Sequence, residues 1–351
     1  MPDRPKFSYG GQAVIEGVMI RGRRHFAVAV RCHDGRIDHR RESLSTLYTG
    51  RARRMPLIRG IVALAETLVL GIKALHLSAN MAFKDQQSEG ADEMPGWLLG
   101  ATLALALALG VGVFFILPLL IVWALDSVVP SGPASDAVEG VLRLAILVAY
   151  IWGISFFKDI KRVFAYHGAE HMTVHAYEAG LPLSVSNVRK FGTPHPRCGT
   201  AFLLTVMLVS IVVFVLLQTP SMEWRIVSRI VLIPVIAAVS YEIIRFSGAH
   251  QHWRIGQLIS RPGLVLQRLT TRAPDDSQIE VAICAMEAAI AADDGREYTL
   301  GYGSGPATFD LSKVAGTGPE ERTRLPAPIN RESPADGDLR INPARQADST
   351  G

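Results

Sequence analysis

Long apolar runs alternate with polar, basic segments along this chain. The runs cover 97–125, 141–157, 201–217 and 226–244. A helix that crosses a bilayer needs about 20 apolar residues, so each run predicts one transmembrane helix. The first is long enough to tilt or to kink near Pro118. The second only just suffices and carries Arg143 near one end. A further apolar stretch, 57–83, is interrupted by Glu66, Lys73 and His76. It predicts an amphipathic helix at the interface or packed on the bundle, rather than a lipid-facing span. Glu66 and Lys73 lie seven apart, on one helical face that reads as solvated.

The polar segments carry their own signals. Residues 1–56 predict a small β-rich unit. Within it, FAVAVRCHDGRIDHR has two strand-like halves around Asp34-Gly35, a hairpin turn pair. The preceding GGQAVIEGVMIRG is rich in glycine, but no strand–GxGxxG–helix order suggests a nucleotide loop. Residues 158–200 hold a His-rich helix and an HPRC loop. In the cytoplasmic amphipathic segment 245–305, a helix is expected to start at an N-cap Asp276 or Ser277 and to stop before Gly295. The stretch 306–351, rich in Pro, Gly and charge, predicts a disordered tail. The fold class is mainly α: a polytopic membrane protein with four transmembrane helices and a small β-rich N-terminal cytoplasmic unit.

Charge fixes an orientation. The 351 residues carry a formal net charge of +4 and are 49% hydrophobic. Arginines crowd the N-terminal segment, the loop 158–200 and the segment after 244, whereas the loop 126–140 has no basic residue. Positive charge marks the cytoplasmic side, so both termini and the loop 158–200 are expected there. The basic balance thus reports topology, and no nucleic-acid partner is expected. The first 54 residues are basic and polar, and no signal peptide is expected. Three cysteines, Cys32, Cys198 and Cys284, have no paired spacing and fit reduced thiols.

The candidate chemistry lies in YHGAEHMTVHAYEAG, 166–180. At about 100° per residue, His167, His171 and His175 fall at about 0°, 40° and 80°, with Glu178 near 20° and Glu170 about 60° to the other side. An i, i+4 histidine pair can direct two nitrogens at one ion. His167 to His171 also matches H-x-x-E-H, in which the glutamate serves as general base. Gly168 costs a helix about 1 kcal/mol against alanine, which makes sense if something approaches the backbone there. Downstream, TPHPRCGT adds His195 and Cys198 as competent ligands, with Arg197 placed to favour the thiolate. The alternatives are a solvated polar helix face and a tight turn with a buried thiol. Glu16 and Glu242 are further acidic candidates.

GGQAVIEGVMIRG, YHGAEH, HPRCGT, SYEIIRF and QRLTTRAPDDSQIEVA, in this order over residues 8–293, resemble the YqhQ-like family. Its members are bacterial multi-span membrane proteins of unknown function described as predicted metal-dependent enzymes. The resemblance implies an inner-membrane location and the site residues His167, Glu170, His171, His195 and Cys198, with Glu16 the notable acid of the first motif. Met172 stands where a basic residue is expected, and His175 lies outside the pattern. The leading expectation is a cytoplasm-facing zinc site that hydrolyses a lipid-linked or membrane-protein substrate among membrane lipids. His167 and His171 would be ligands and Glu170 the general base. Cys198 or His195 would complete the shell, with Glu16 or Glu242 in reserve. One rival is a non-enzymatic scaffold or assembly factor stapled by metal or a polar network. Another is a transporter, which the scarcity of ionisable residues inside the spans argues against.

Overall fold

The computed structural model describes residues 7–45, 50, 55–82, 96–125, 132–217 and 221–298. The tail expected at 306–351 lies outside the described residues. Four antiparallel strands, β1 (Gly10–Val14), β2 (Gly17–Arg21), β3 (His25–Arg31) and β4 (Ile37–Ser43), form one sheet in sequential order. Gly35, at φ +83°, makes the β3–β4 turn, and Arg31 pairs with Ile37 across it. β2 and β3 read as nearly unbroken apolar runs because both faces of the sheet are covered. One face, with Val14, Met19, Phe26, Val28 and Val30, packs on Leu70, Ala74 and Met81 of helix α1 (Ile58–Ala82). The other, with Val18, Ile20, Ala27 and Ala29, packs on helices α5 (Lys158–Glu178) and α11 (Asp276–Asp293).

α11 departs from the expected amphipathic surface helix. Val281 to Met286 are all buried, as are Ala288, Ala289 and Ala291. Its small residues leave it apolar on nearly every side, which suits a central helix. Its N-cap is Asp275, one residue before the expected pair. Asp275 and Gln278 form a reciprocal capping box. At the far end, buried Asp293 accepts from the backbone N–H groups of Arg23, Arg24 and His25 at 2.5, 2.9 and 3.1 Å, and from Tyr9 OH at 3.1 Å. One carboxylate thus gathers the β2–β3 turn.

Helix α2 (Gly96–Val111), a π-helical turn (Gly112–Ile116) and helix α3 (Leu117–Ala124) make one long apolar rod. The turn precedes Pro118, whose missing N–H and ring disturb the ladder one turn back. Helix α4 (Pro133–Ile154) starts eight residues before the expected 141. Asp136 and Glu139 hid this start, because they read as loop. Both are buried. Arg229 reaches Asp136 and Glu139 at 2.8 Å each, Arg225 reaches Asp136 at 2.8 Å, and Arg143 reaches Glu139 at 2.5 Å. A single helical turn, α6 (Val185–Val188), precedes helix α7 (Gly199–Leu217), which packs on α4. The expected straight span 226–244 is two helices, α8 (Met222–Val231) and α9 (Ile233–Ala249), bent by 47° just before Pro234. Helix α10 (Arg254–Thr270) then lies against α7 and α9.

Among the described residues, four helices are long and apolar enough to cross a membrane: 58–82, 104–124, 133–154 and 199–217; the bent pair α8–α9 is a fifth candidate. Packing decides among them. The sheet, α5 and α11 share one hydrophobic core, so they occupy one side of any bilayer, and the chain crosses an even number of times between them. Between β4 and α5 lie three candidates, so one does not cross. That one is α1, whose inner face is already taken by the sheet. Glu66 on it is not solvated but buried, 2.9 Å from Arg21, and Lys73 pairs with Glu42. Between α5 and α11, α7 supplies one crossing, so α8 and α9 cross together as one broken span. Four crossings remain.

Two measurements follow from this packing. In a Cys32→Ala background, Arg36→Cys and His252→Cys are expected to react with an impermeant maleimide from one membrane face and Glu223→Cys from the other; labelling of Arg36 and Glu223 from the same face would refute the four-crossing arrangement. Burial opposes ionisation of Asp293, but its N–H, His25 and Tyr9 donors outweigh that and hold its carboxyl below the usual range. Such a group stabilises the fold above the unfolded carboxyl pKa of about 3.9 and loses this effect as pH falls through the folded value. Asp293→Ala is expected to cost about 3 kcal/mol at neutral pH, and less as the wild type approaches pH 3, in thermal melts across pH. An equal loss at all pH values would show the carboxylate charge to be irrelevant.

Candidate metal centre

Helix α5 is long and well terminated. Gly180 adopts φ +69° past its end, and Leu181 N–H closes back on Ala176 O at 3.1 Å. His167 and His171 project from successive turns, their ring centroids 4.4 Å apart. What orients them comes from elsewhere in the chain. A Cβ on Gly168 would meet Arg272 O at 2.1 Å and Thr193 Cγ2 at 3.0 Å. The segment leaving α10 therefore crosses directly over α5 at Gly168, with Arg272 N–H donating to Phe164 O at 2.9 Å.

This crossing brings two backbone carbonyls to the imidazoles. His167 Nδ1 lies 2.8 Å from Thr270 O, and His171 Nδ1 lies 2.5 Å from Thr193 O. A carbonyl only accepts, so both rings carry their proton on Nδ1 and turn an Nε2 lone pair inward. Cys198 Sγ lies 3.2 Å from His167 Nε2, and the ligand atoms of His167, His171 and Cys198 all fall within 4.8 Å of one another. Thr200, in the first turn of α7, sets its hydroxyl and N–H 3.1 and 3.4 Å from Sγ. Two imidazoles and a thiol, with outer partners on each imidazole, could hold a metal ion.

Glu170 is buried, with Oε2 3.5 Å from His171 Nε2. Burial pushes its carboxyl up, against the pull of His167, His195 and the Gly11 backbone. Burial pushes His171 and His195 down, so these rings are neutral near pH 7, the form that binds metals.

The remaining predicted residues separate from this trio. His195 stands beside it, 5.5 Å ring to ring from His171, but its ligand atom groups with His175 and Glu178. His175 is thus drawn into the cluster despite lying outside the family pattern. Arg197, placed by the sequence beside the Cys198 thiol, turns elsewhere: its guanidinium reaches Glu178 and donates to Ser8 Oγ at 2.7 Å. Glu16 is not a reserve ligand: it accepts from Arg162 Nε at 2.5 Å and ties the β1–β2 turn to α5. Nor is Glu242, which pairs with Arg59. Sequence reasoning missed the groups that build the outer shell. Chief among them is buried Gln267, whose amide brackets His195, accepting from its N–H at 2.7 Å and donating to its C=O at 2.8 Å. The only signal for it was its place in the motif QRLTT.

A cavity of about 630 Å³ opens onto the cluster. Glu170, His171, His195 and Cys198 line one side. The other is apolar: Leu64, Leu68 and Ile72 of α1, Phe202 of α7 and Ile244 of α9. The cavity therefore runs from the polar cluster to the ends of two candidate membrane-spanning helices, α7 and α9.

The model for the family "Protein of unknown function (DUF1385)" matches residues 55–292. The "Uncharacterized protein YqhQ" of Bacillus subtilis (strain 168) is 35% identical over 288 residues, which cover 79% of this chain and 90% of that protein. No solved structure matches.

The crossing at Gly168 makes a direct prediction. Gly168→Ala has to push back the backbone of Arg272, at a cost of about 1–3 kcal/mol, and displace Thr270 O from His167. Thermal denaturation is expected to show this loss; a variant as stable as wild type would mean that the close approach is not rigid.

Proposed function

This chain belongs to the DUF1385 family of proteins of unknown function, and we propose that it is a metal-dependent hydrolase of the cell inner membrane, with its site on the cytoplasmic side. The observation that carries this reading is the pair of Nδ1–carbonyl bonds. They fix both histidines of H-x-x-E-H in the ligating tautomer beside a buried thiol. A simple polar helix face has no need of that arrangement.

In this reading His167, His171 and Cys198 hold one divalent ion, zinc by its match to two imidazoles and a thiolate. Such an ion supplies Lewis acidity to a water and to the substrate's carbonyl or phosphoryl oxygen. Glu170 takes the proton of the attacking water and returns it to the leaving group. Being buried, it is held rigidly for that task, and Gly11 and the histidines fix its place. The thiol also supports a second reading, a structural staple, because closed zinc sites are thiolate-rich. The cavity favours catalysis, since a staple needs no 630 Å³ of space beside it. Its apolar wall and its position at the helix ends favour a lipid-linked substrate or a membrane-protein segment entering from the bilayer. The clustering of arginines at the N-terminus and around 158–200 supports a cytoplasmic site and cytoplasmic termini.

Metal analysis of the detergent-purified protein tests this. Wild type is expected to hold zinc that His171→Ala loses from the thiolate site. Glu170→Gln is expected to keep the metal and to lose at least 100-fold in turnover of a membrane-embedded ester or amide substrate, the usual order of a general base. Metal-free wild type after reconstitution would sink the metal reading. Full activity in Glu170→Gln would leave only the staple.

A further inference from the structure

We propose that His175, His195 and Glu178 form a second divalent-cation site beside the first. Their ligand atoms lie within 4.8 Å of one another, and the rings of His175 and His195 are 4.6 Å apart. The observation that points to a ligand is His195. It is only 5% exposed, and its Nε2 has no hydrogen-bond partner; Glu178 Oε2, at 3.6 Å, is too far for one. A buried ring nitrogen aimed at a carboxylate it does not reach leaves a gap that a cation bound to both would close.

Each member of this group is held from outside, as metal ligands usually are. Gln267 brackets the backbone of His195. His175 Nε2 is anchored 2.9 Å from Pro194 O, which holds the ring beside that of His195. Arg197 engages Glu178 Oε1 and is itself tied to Ser8, so Oε2 is left facing His195. A cation on His195 Nε2 places the ring proton on Nδ1 and gives up only the long 3.3 Å approach of Arg197 N. Two imidazoles and one carboxylate suit zinc, iron or manganese. This set lacks a thiolate, so the two sites have different spectroscopic signatures. It also does not depend on the first site being occupied, because no residue is shared. If both sites fill, Glu170, which lines the same cavity as His171 and His195, faces a two-metal centre.

Cobalt(II) titration of the purified full chain in detergent, read by total metal and by the cobalt–thiolate charge-transfer band, tests the assignment. Wild type is expected to bind two ions per chain. His175→Ala and Glu178→Gln should each bind one and retain the thiolate band, which also shows that they are folded. Cys198→Ser should bind one and lose the band. A wild type that binds a single ion with the thiolate band, or a His175→Ala variant that still binds two, overturns the second site. A single ion without the band, lost in His175→Ala, supports the second site and sinks the first.

Discussion

The carbonyl of Arg272 occupies the place where a side chain at residue 168 would begin. Much of the cluster depends on that contact. α10 packs along α7 and α9, and α11, after five intervening residues, is the centre of the sheet-covered body. The segment 270–275 joins them and is pressed onto α5 at its one glycine. Because it lies there, Thr270 O meets His167. Thr271 Oγ1 bonds Thr193 Oγ1 at 3.1 Å, which steadies the carbonyl that meets His171. One steric allowance thus sets two tautomers. A larger residue would separate the helix from both carbonyl partners, although the ligands themselves would be unchanged.

The H-x-x-E-H spacing and the HPRC loop were legible because they are local: i, i+4 geometry on a helix is a property of sequence alone. The pair His167 and His171 could be named for that reason, with Cys198 or His195 left open as the next ligand. The glycine signal was legible too, since its helix cost called for a close neighbour, but not which neighbour, because the contact from 168 to 272 spans more than a hundred residues. The same limit explains Glu16 and Glu242. Each looked like a spare ligand, yet each is engaged by an arginine far away in sequence, Arg162 or Arg59. Arg197 failed for another reason. It adjoins Cys198, but a flexible side chain is not confined to its sequence neighbour, and Glu178 offers a carboxylate.

Buried charge shaped the membrane part in a way that hydropathy misreads. The apolar run alone predicts a span that starts at 141, although the helix extends back through Glu139 and Asp136. Their cost in an apolar setting is large when unpaired. Here Arg143, Arg225 and Arg229 meet them, and Phe214 lies under the Arg229 guanidinium, 4.3 Å from ring centroid to Cζ. This network fastens α4 to α8, the first half of the broken span, whose ladder is interrupted before Pro234. A straight span would need no such tie. A helix bent by 47° presents a shorter face to its neighbours and gains more from one fixed point.

α1 shows why composition alone cannot assign a span. Its length and hydropathy pass for a crossing helix, yet one face covers the sheet. Away from the sheet and the cavity, Ile58, Ile61 and Val69 are exposed. A helix with one face on a folded body and the other apolar and bare fits the membrane surface, lying along it rather than through it. Gly60 lets its start approach Ala238 of α9, where a Cβ would come within 2.7 Å of the Ala238 Cα. α1 therefore leaves the mouth of the broken span and runs out over the cavity, forming its apolar wall. That places the polar cluster behind a helix whose outer face suits lipid.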